Sequence, residues 1–406
     1  MIICLLIKNK CLLYTYNRKD VIGLDIAILG LGTVGGGVKE IIDESPRLNE
    51  KLNVSAIWVR KEKVDANQNK TNDYQSVLDN DDIKVIVETL GGIHPAYEMI
   101  MDAFKAHKNV VTANKAVVAK YMEEFIHEAT RNHVSFRFEP SVAGGIPWIQ
   151  NLKRALRIDD VQSIGGILNG TSNFIIDAIS HQHVSFAGAL KQAQDLGYAE
   201  ADPTADIDGF DVENKLCIST DLAFNTIVKP GDAIKKIGIR NLLKEDVDFF
   251  LSRNMNIKLI GKASLYNQDK LAISIEPTLL PVDNTVATVN GNLNYVQLSG
   301  DTIGPLGFLG QGAGRKPTAN ALLQDIVDVF ESNPSYSIDG SQHLVIDNNN
   351  FAAEYIIRTE IDLSDLKDVT NLEGKYWTLS NQTIESAHML YQEILQADNK
   401  TIMFRQ

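Results

Sequence analysis

The sequence has few cysteines, no long apolar run and no excess of positive charge. Its three cysteines, Cys4, Cys11 and Cys217, have neither metal-ligand spacing nor the even count of a disulfide framework, which fits a reducing cytoplasm. Lys8 and Lys10 interrupt the apolar start, and no other run approaches the roughly 20 apolar residues of a membrane span. The formal net charge of −13 argues against nucleic acid and anionic membranes as partners.

The remaining composition is that of an ordinary globular protein, with 406 residues of which 44% are hydrophobic and 22% are charged. A chain of this length exceeds one compact core and predicts two or three domains. Residues 1–23 have no basic region ahead of the apolar run and no clean cleavage site. We therefore interpret them as an N-terminal extension and not as a signal peptide.

A short apolar strand over 24–29 runs directly into a glycine-rich turn, GLGTVGGGV. In the spacing G-x-G-x-x-G, Gly30 allows the tight turn, Gly32 lets the backbone approach a pyrophosphate, and Gly35 lets the helix pack closely on the strand. The helix that follows directs its first amides, including those of Thr33 and Val34, at the phosphates. Strand, turn and helix together predict a dinucleotide site.

The second predicted strand, over 52–60, ends in cations. An NAD-specific site favours Asp or Glu at this strand end, to hold the ribose 2′-hydroxyl. Here Arg60, Lys61 and Lys63 occupy the region, with Glu62 among them. Cations suit a 2′-phosphate, so the sequence favours NADP over NAD; the alternative is that Arg60 is a surface residue at a strand end.

Three more positions are predicted at the carboxyl edge of the same parallel sheet, where ligands bind in such folds. Thr89 begins a glycine turn after one buried strand, and Lys115 follows the next strand. We expect Lys115 to be functional; the alternative is a surface lysine whose stem covers apolar neighbours. Gly312, in a late glycine turn before a returning helix, is expected to approach the nicotinamide.

An acidic stretch over 197–215, GYAEADPTADIDGFDVENK, ends in a lone cation, Lys215. On a helix, Asp211 and Lys215 share one face, one turn apart, and the apolar residues between and after them indicate partial burial. Such a pair is suited to binding a zwitterion and passing it a proton. The alternative is a solvated acidic turn followed by a routine surface ion pair.

Near residue 146 the alternation of strand and helix gives way to longer strands, some in succession. We predict an α/β protein with a Rossmann-like nucleotide-binding domain, an α+β catalytic and dimerisation domain with a mixed sheet, and a short C-terminal α/β segment of one strand, one helix and a last strand. The predicted units are the extension over 1–23, the nucleotide domain over 24–146 completed by 307–330, the substrate domain over 147–306, a linker over 331–350 and the C-terminal segment over 351–406.

These motifs together resemble homoserine dehydrogenase from about residue 24 to 330. The resemblance is carried by GLGTVGGGV (30–38), ETLGG (88–92), VVTANK (110–115), SVAGGIP (141–147), GILNGTSNFI (166–175) and the acidic stretch. It implies reversible hydride transfer between NAD(P) and the terminal carbon of L-homoserine, giving L-aspartate 4-semialdehyde, on the route to threonine, methionine and isoleucine. It also implies a homodimer, and a C-terminal segment that is shorter than the regulatory ACT domain of many members.

The resemblance further implies roles for single residues. Lys215 would give the proton to the carbonyl during reduction, and Lys115 would orient substrate and cofactor. The implied substrate residues are Glu200 and Asp211, which suit the ammonium, with Asp206 and Gly197 in the same pocket. An implied structural sodium or potassium site uses Glu139, which the residues alone also suggest, with the backbone carbonyls of Val142, Gly144 and Ile146.

Two other classes compete with this interpretation. A semialdehyde or acyl-phosphate dehydrogenase needs a thiolate nucleophile. Cys4 and Cys11 lie in the extension and Cys217 lies among apolar helix residues, so that alternative lacks its nucleophile. A nucleotide-binding sensor would keep the glycine turn but would need neither Lys115 nor Lys215.

Overall fold

The structure is a computed structural model that describes residues 2–7, 10–15, 23–65, 69–232, 234–267, 269–338 and 340–406. Its first element is an antiparallel hairpin of β1 (Ile2–Ile7) and β2 (Lys10–Thr15). The hairpin forms a two-stranded sheet of its own and belongs to neither of the larger sheets.

A six-stranded, all-parallel sheet forms the first large unit, in the order β5-β4-β3-β6-β7-β8. Its strands are β3 (Leu24–Leu29), β4 (Leu52–Trp58), β5 (Lys70–Thr71), β6 (Ile83–Glu88), β7 (Asn109–Thr112) and β8 (Phe136–Arg137). Its helices are α1 (Thr33–Glu44), α2 (Pro46–Asn49), α3 (Tyr74–Leu78), α4 (Ala96–Lys105) and α5 (Lys115–Arg131). The central strands β3 and β6 are mostly apolar, with Ile26, Ile28, Val85 and Val87 fully buried, because helices cover both sheet faces.

The second unit is built on a mixed sheet, as predicted, whose first strands run in the order β14-β13-β9-β11-β12. These strands are β9 (Val161–Ile167), β11 (Met255–Tyr266), β12 (Lys270–Pro281), β13 (Leu293–Gly300) and β14 (Gly304–Gln311), and the short strand β10 (Lys235–Lys236) pairs with β12 beside them. The helices are α6 (Trp148–Ala155), α7 (Gly170–Gln182), α8 (Phe186–Asp195), α9 (Thr204–Ile207), α10 (Phe210–Phe224) and α11 (Lys244–Leu251).

Helix α12 (Arg315–Phe330) leaves the second unit and packs on α1 of the first. Its Leu322 and Ile326 share one buried cluster with Ile28 and Val38. The helices approach closely because Gly37 carries no side chain: a Cβ there would lie 2.8 Å from the carbonyl oxygen of Arg315. The returning helix therefore joins the core of the nucleotide unit.

The C-terminal segment contains more strands than the sequence predicts. Its elements are β16 (Ala352–Arg358), β17 (Val369–Glu373), β18 (Tyr376–Thr383), α13 (Ile384–Ala397) and β19 (Ile402–Arg405), and the short strand β15 (Val345–Ile346) precedes them. The order β12-β19-β16-β18-β17 attaches them to the mixed sheet. The prediction missed the β17–β18 hairpin because β17 is largely exposed and lacks an apolar face.

The segment over 331–350 is not a free linker, because Tyr336 is buried and β15 pairs with β12. In the nucleotide unit, the short strand β8 is followed by a 3-10 helix, Glu139–Ser141. In the part of the chain that the structure describes, no helix has the length and apolar character that crossing a membrane would require.

Candidate active site

The glycine turn after β3 has the geometry that its spacing predicts. Gly30 has φ +94°, which favours glycine. A Cβ on Gly35 would lie 2.1 Å from the carbonyl oxygen of Gly30, so that position is closed to any side chain. At Gly32 no heavy atom of the described residues lies within 4 Å of a Cβ, which leaves the approach to the start of α1 open. The turn fits a bound pyrophosphate.

Thr89 bonds directly to this turn, and a buried acid whose role the sequence did not reveal precedes it. The Thr89 hydroxyl donates to the carbonyl oxygens of Leu29 and Gly30, at 2.9 and 3.0 Å. The preceding residue, Glu88, is fully buried and accepts hydrogen bonds from the Thr112 hydroxyl and the Leu90 amide. Burial raises the pKa of Glu88, although those hydrogen bonds oppose the rise. Glu88 thus fixes the turn that borders the cofactor site.

Lys115 and Lys215 meet at one carboxylate, that of Asp211. The Nζ of Lys115, at the start of α5, lies 2.7 Å from Asp211 Oδ1. The Nζ of Lys215 lies 2.7 Å from Asp211 Oδ2, as the spacing on α10 predicts, and donates to the Leu168 carbonyl oxygen at 2.6 Å. The Lys215 side chain is 7% exposed and that of Lys115 43%, so only the first is removed from water.

This arrangement shifts the pKa of each group. Burial lowers the pKa of Lys215; Asp211 opposes that shift, and the nearby ammonium of Lys115 adds to it. The pKa of Lys115 is raised, chiefly by Asp211. Burial disfavours the charged form of Asp211, but the two lysines and Asn169 outweigh it and hold the pKa of that carboxyl well below its usual range. Asp211 is an anion between two cations.

Asn169, which lies in the motif GILNGTSNFI, contacts two acids of the site. Its Oδ1 caps α7 by accepting from the Ser172 amide at 2.7 Å. Its Nδ2 donates to Asp206 Oδ1 at 2.7 Å and to Asp211 Oδ2 at 2.8 Å. The hydrophobic periodicity of the sequence cannot indicate these contacts, because α9 and α10 are far from Asn169 in sequence and approach it only in the folded chain.

Two of the other predicted substrate residues, Asp206 and Glu200, lie close enough to act on the charges of this centre. Asp206, on α9, has a raised pKa because it is largely buried, although the Asn169 amide opposes the rise. Glu200 is exposed, and its charge contributes to raising the pKa of Lys115. Gly197 has φ +73° and ends the turn after α8.

Gly312 lies at the junction of the two units. A Cβ on Gly312 would lie 2.0 Å from Cγ of Asn294, and one on Gly144 would lie 2.5 Å from the main chain of Gly312. Asn294 is fully buried and donates to the Leu168 carbonyl oxygen at 2.9 Å, the same atom that accepts from Lys215. Gly312 therefore packs against Asn294, which shares the Leu168 carbonyl oxygen with Lys215.

Arg60 follows β4 and is exposed before the 3-10 helix Lys61–Lys63.

Glu139, a residue of the predicted cation site, is buried and hydrogen-bonded. Its carboxylate accepts from the amides of Ile149 and Gln150, in the first turn of α6, at 2.8 and 3.0 Å. It also accepts from the Tyr336 hydroxyl at 2.8 Å, and burial raises the pKa of Glu139 to about 7. Within the described ranges there is no group of three or more His, Cys, Asp or Glu suited to a metal ion. The Glu139 carboxylate is thus engaged within the protein, and a cation at this turn stays a prediction.

A dinucleotide turn and a buried lysine–aspartate centre at the carboxyl edge of a parallel sheet define an NAD(P)-dependent oxidoreductase. The thiol of Cys217 is buried, which raises its pKa and makes it unsuitable as the nucleophile that an acyl-transferring dehydrogenase needs.

Comparison with known proteins identifies the family. The protein-family model for homoserine dehydrogenase matches residues 147–327, and the family model for the homoserine dehydrogenase NAD-binding domain matches residues 30–139. Homoserine dehydrogenase of Lactococcus lactis is 38% identical over 321 residues, which cover 76% of this chain and 74% of that protein. The chain belongs to the homoserine dehydrogenase family. It catalyses the NAD(P)-dependent interconversion of L-homoserine and L-aspartate 4-semialdehyde.

Solved structures extend the similarity to the C-terminal segment. A homoserine dehydrogenase from Thiobacillus denitrificans superposes with a TM-score of 0.83 at 31% identity, over 94% of this chain and 98% of that one. A hyperthermophilic archaeal homoserine dehydrogenase in complex with NADPH gives a TM-score of 0.66 at 26% identity, over 78% of this chain and 100% of that one.

Proposed function

We propose that Lys215 exchanges a proton with the substrate oxygen. Bound NAD(P) supplies the hydride acceptor for homoserine oxidation and the hydride donor for the reverse reaction. Lys215 is the buried lysine of the centre, and burial lowers its pKa toward the working pH, as a group that both gives and takes a proton requires. That observation carries the assignment.

Asp211 and Lys115 orient Lys215 in this proposal. Each carboxylate oxygen of Asp211 forms an ion pair with one of the lysines. A carboxylate oxygen has more than one acceptor site, so Asp211 stays open to a further cation. We therefore assign the substrate ammonium to Glu200 and Asp211, with Asp206 and Gly197 in the same pocket. The half-exposed Lys115 faces substrate and cofactor.

The proposed cofactor is NADP in preference to NAD. Arg60, Lys61 and Lys63 follow β4, at the strand end that meets the 2′ position in such folds. The archaeal relative in complex with NADPH supports the same preference. The amides of Thr33 and Val34 and the turn at Thr89 complete the proposed cofactor contacts, with Gly312 toward the nicotinamide end.

Three further proposals concern the surroundings of the site. A monovalent cation would bind the main-chain carbonyls of Val142, Gly144 and Ile146 without the Glu139 carboxylate. The left-handed turn at Gly144 supports this proposal.

A homodimer is supported by the exposed edge strand β14, where Leu309 is 59% exposed, and sedimentation velocity tests it. A cytoplasmic location is supported by the free thiol of Cys217.

The test is oxidation of L-homoserine with NADP and with NAD, for the wild type, Lys215→Met and Lys191→Met. Lys191 forms the same i,i+4 pair with an aspartate but on the surface, so it is the matched control. Lys215→Met should bind NADPH and lose about 100-fold or more in kcat, while Lys191→Met stays active. Wild-type kcat in Lys215→Met would refute the proton-transfer role.

A further inference from the structure

We propose that Asn169 is a positioning residue that holds Asp206 and Asp211 as one pair of anions and thereby keeps Lys215 aimed at the substrate oxygen. The inference rests on the proposed role of Lys215. It goes beyond that role because Asn169 touches neither lysine and acts through the carboxylates.

The hydrogen bonds of Asn169 fix its orientation. Asn169 follows Leu168 at the end of β9 and is 4% exposed. Its Oδ1 is used by the Ser172 amide, and its Nδ2 donates one hydrogen to each aspartate. Turning the amide around would place Oδ1 against two carboxylates and remove the helix cap. The residue must therefore present donors to the acids.

The two aspartates need such a donor because they repel each other. The charge of Asp211 contributes to raising the pKa of Asp206. The other charged groups around them are Lys115 on α5, Lys215 on α10 and Glu200 before α9. If Asn169 withdrew its donors, one acid would take up a proton or move away. A displaced or protonated Asp211 would no longer hold Lys215 against the Leu168 carbonyl.

Asn169→Asp separates this role from the helix cap. Aspartate has nearly the same shape and caps helices as well as asparagine. It replaces the donor by a third carboxylate facing Asp206 and Asp211. We expect kcat to fall about 100-fold at neutral pH, the scale of a small misplacement at a reacting centre.

The pH profile supplies the readout that a purely structural role would not change. As pH falls, the added carboxyl takes up a proton and regains a donor. The ratio of variant to wild-type kcat should therefore rise toward acid pH. Asn132→Asp is the control, since Asn132 also donates to a carboxylate, that of Glu128 at 2.9 Å, but at the far end of α5. Its ratio should stay near one at each pH.

Asn169→Ser is the second variant, because serine keeps the cap but cannot reach the two acids and cannot regain a donor in acid. It should lose about 100-fold in kcat without recovery at low pH. If Asn169→Asp does not fold, this variant decides: wild-type kcat overturns the proposal, and the loss with an unchanged melting temperature supports it. A pH-independent ratio in Asn169→Asp would also overturn it. Inactive Lys215→Met beside fully active Asn169 variants would refute this inference alone, whereas active Lys215→Met would refute the proposed proton donor.

Discussion

The ion pair between Lys115 and Asp211, 2.7 Å from Nζ to Oδ1, links the two halves of the active site. Lys115 begins α5 at the carboxyl edge of the parallel sheet, whereas Asp211 lies in the first turn of α10, in the unit with the mixed sheet. The pair thus places a second ammonium beside Lys215. A change in how the two units sit together would alter the charge around the proposed proton donor.

This relationship predicts the pH dependence of Lys115→Met. The Lys115 ammonium contributes to lowering the pKa of Lys215, so its removal should raise that pKa. In its proposed role Lys215 must be neutral to accept a proton during homoserine oxidation, so the rate should rise with pH through its pKa. The rising part of the plot of kcat against pH should therefore move to higher pH, in addition to any fall in the maximal rate.

Lys120→Met, on the same helix but exposed, is the control for the Lys115 variant. Its pH limb should coincide with that of the wild type. A limb that stays in place or moves to lower pH in Lys115→Met would mean that Lys115 does not tune Lys215.

The sequence predicted the local part of this centre and not the long-range part. Asp211 and Lys215 are one helical turn apart, so helical periodicity alone brings them together, as observed. Lys115 was placed at a strand end, which is also local information. The contact of Lys115 with Asp211, and those of Asn169 with two aspartates, depend on how separate elements pack. Glu88 is part of the motif ETLGG, but the sequence assigned it no role because a buried acid at the end of an apolar strand has no periodic signature.

Two glycines of the nucleotide turn should respond differently to alanine. Gly35→Ala would place a Cβ 2.1 Å from a main-chain oxygen, which only a backbone shift relieves. It should lower the free energy of unfolding by about 1–3 kcal/mol and weaken cofactor binding. Gly32 has φ −84° and open space where a Cβ would lie. Gly32→Ala should therefore leave the free energy of unfolding unchanged and raise the KM for NADP.

Melting temperatures and cofactor KM values for both variants give the check. An unstable Gly32→Ala, or a Gly35→Ala with wild-type stability, would contradict the division of roles between fold and cofactor. The turn was predictable because the G-x-G-x-x-G spacing encodes a main-chain path, and Gly30 confirms it with its positive φ.

Arg60→Ala tests the proposed preference for NADP. If the guanidinium meets the 2′-phosphate, its loss should raise the KM for NADP by about tenfold to a hundredfold, the range for one charged hydrogen bond. The KM for NAD should change little. Arg131→Ala, an exposed arginine at the end of α5, is the control. Equal effects on both cofactors would contradict a 2′-phosphate contact.

The C-terminal segment should depend on a buried ion pair between β16 and α11. Arg358 Nε lies 2.7 Å from Oδ1 of Asp246, which also accepts from the Tyr376 hydroxyl at 2.9 Å. Burial raises the pKa of Asp246, although Arg358 opposes the shift. Arg358→Met should cost about 3–5 kcal/mol of unfolding free energy, because it strands a buried carboxylate.

The pH dependence of that loss follows from the sign of the shift. Removing Arg358 raises the folded-state pKa of Asp246 further above its unfolded value, so stability falls as pH rises from the unfolded toward the folded pKa. The deficit of Arg358→Met should therefore be smallest in acid, where Asp246 is protonated in both states. The double variant with Asp246→Asn removes the stranded charge and should recover much of the stability at neutral pH. Urea unfolding of the single and double variants measures both effects; a double variant as unstable as Arg358→Met alone would show that the loss comes from packing and not from charge.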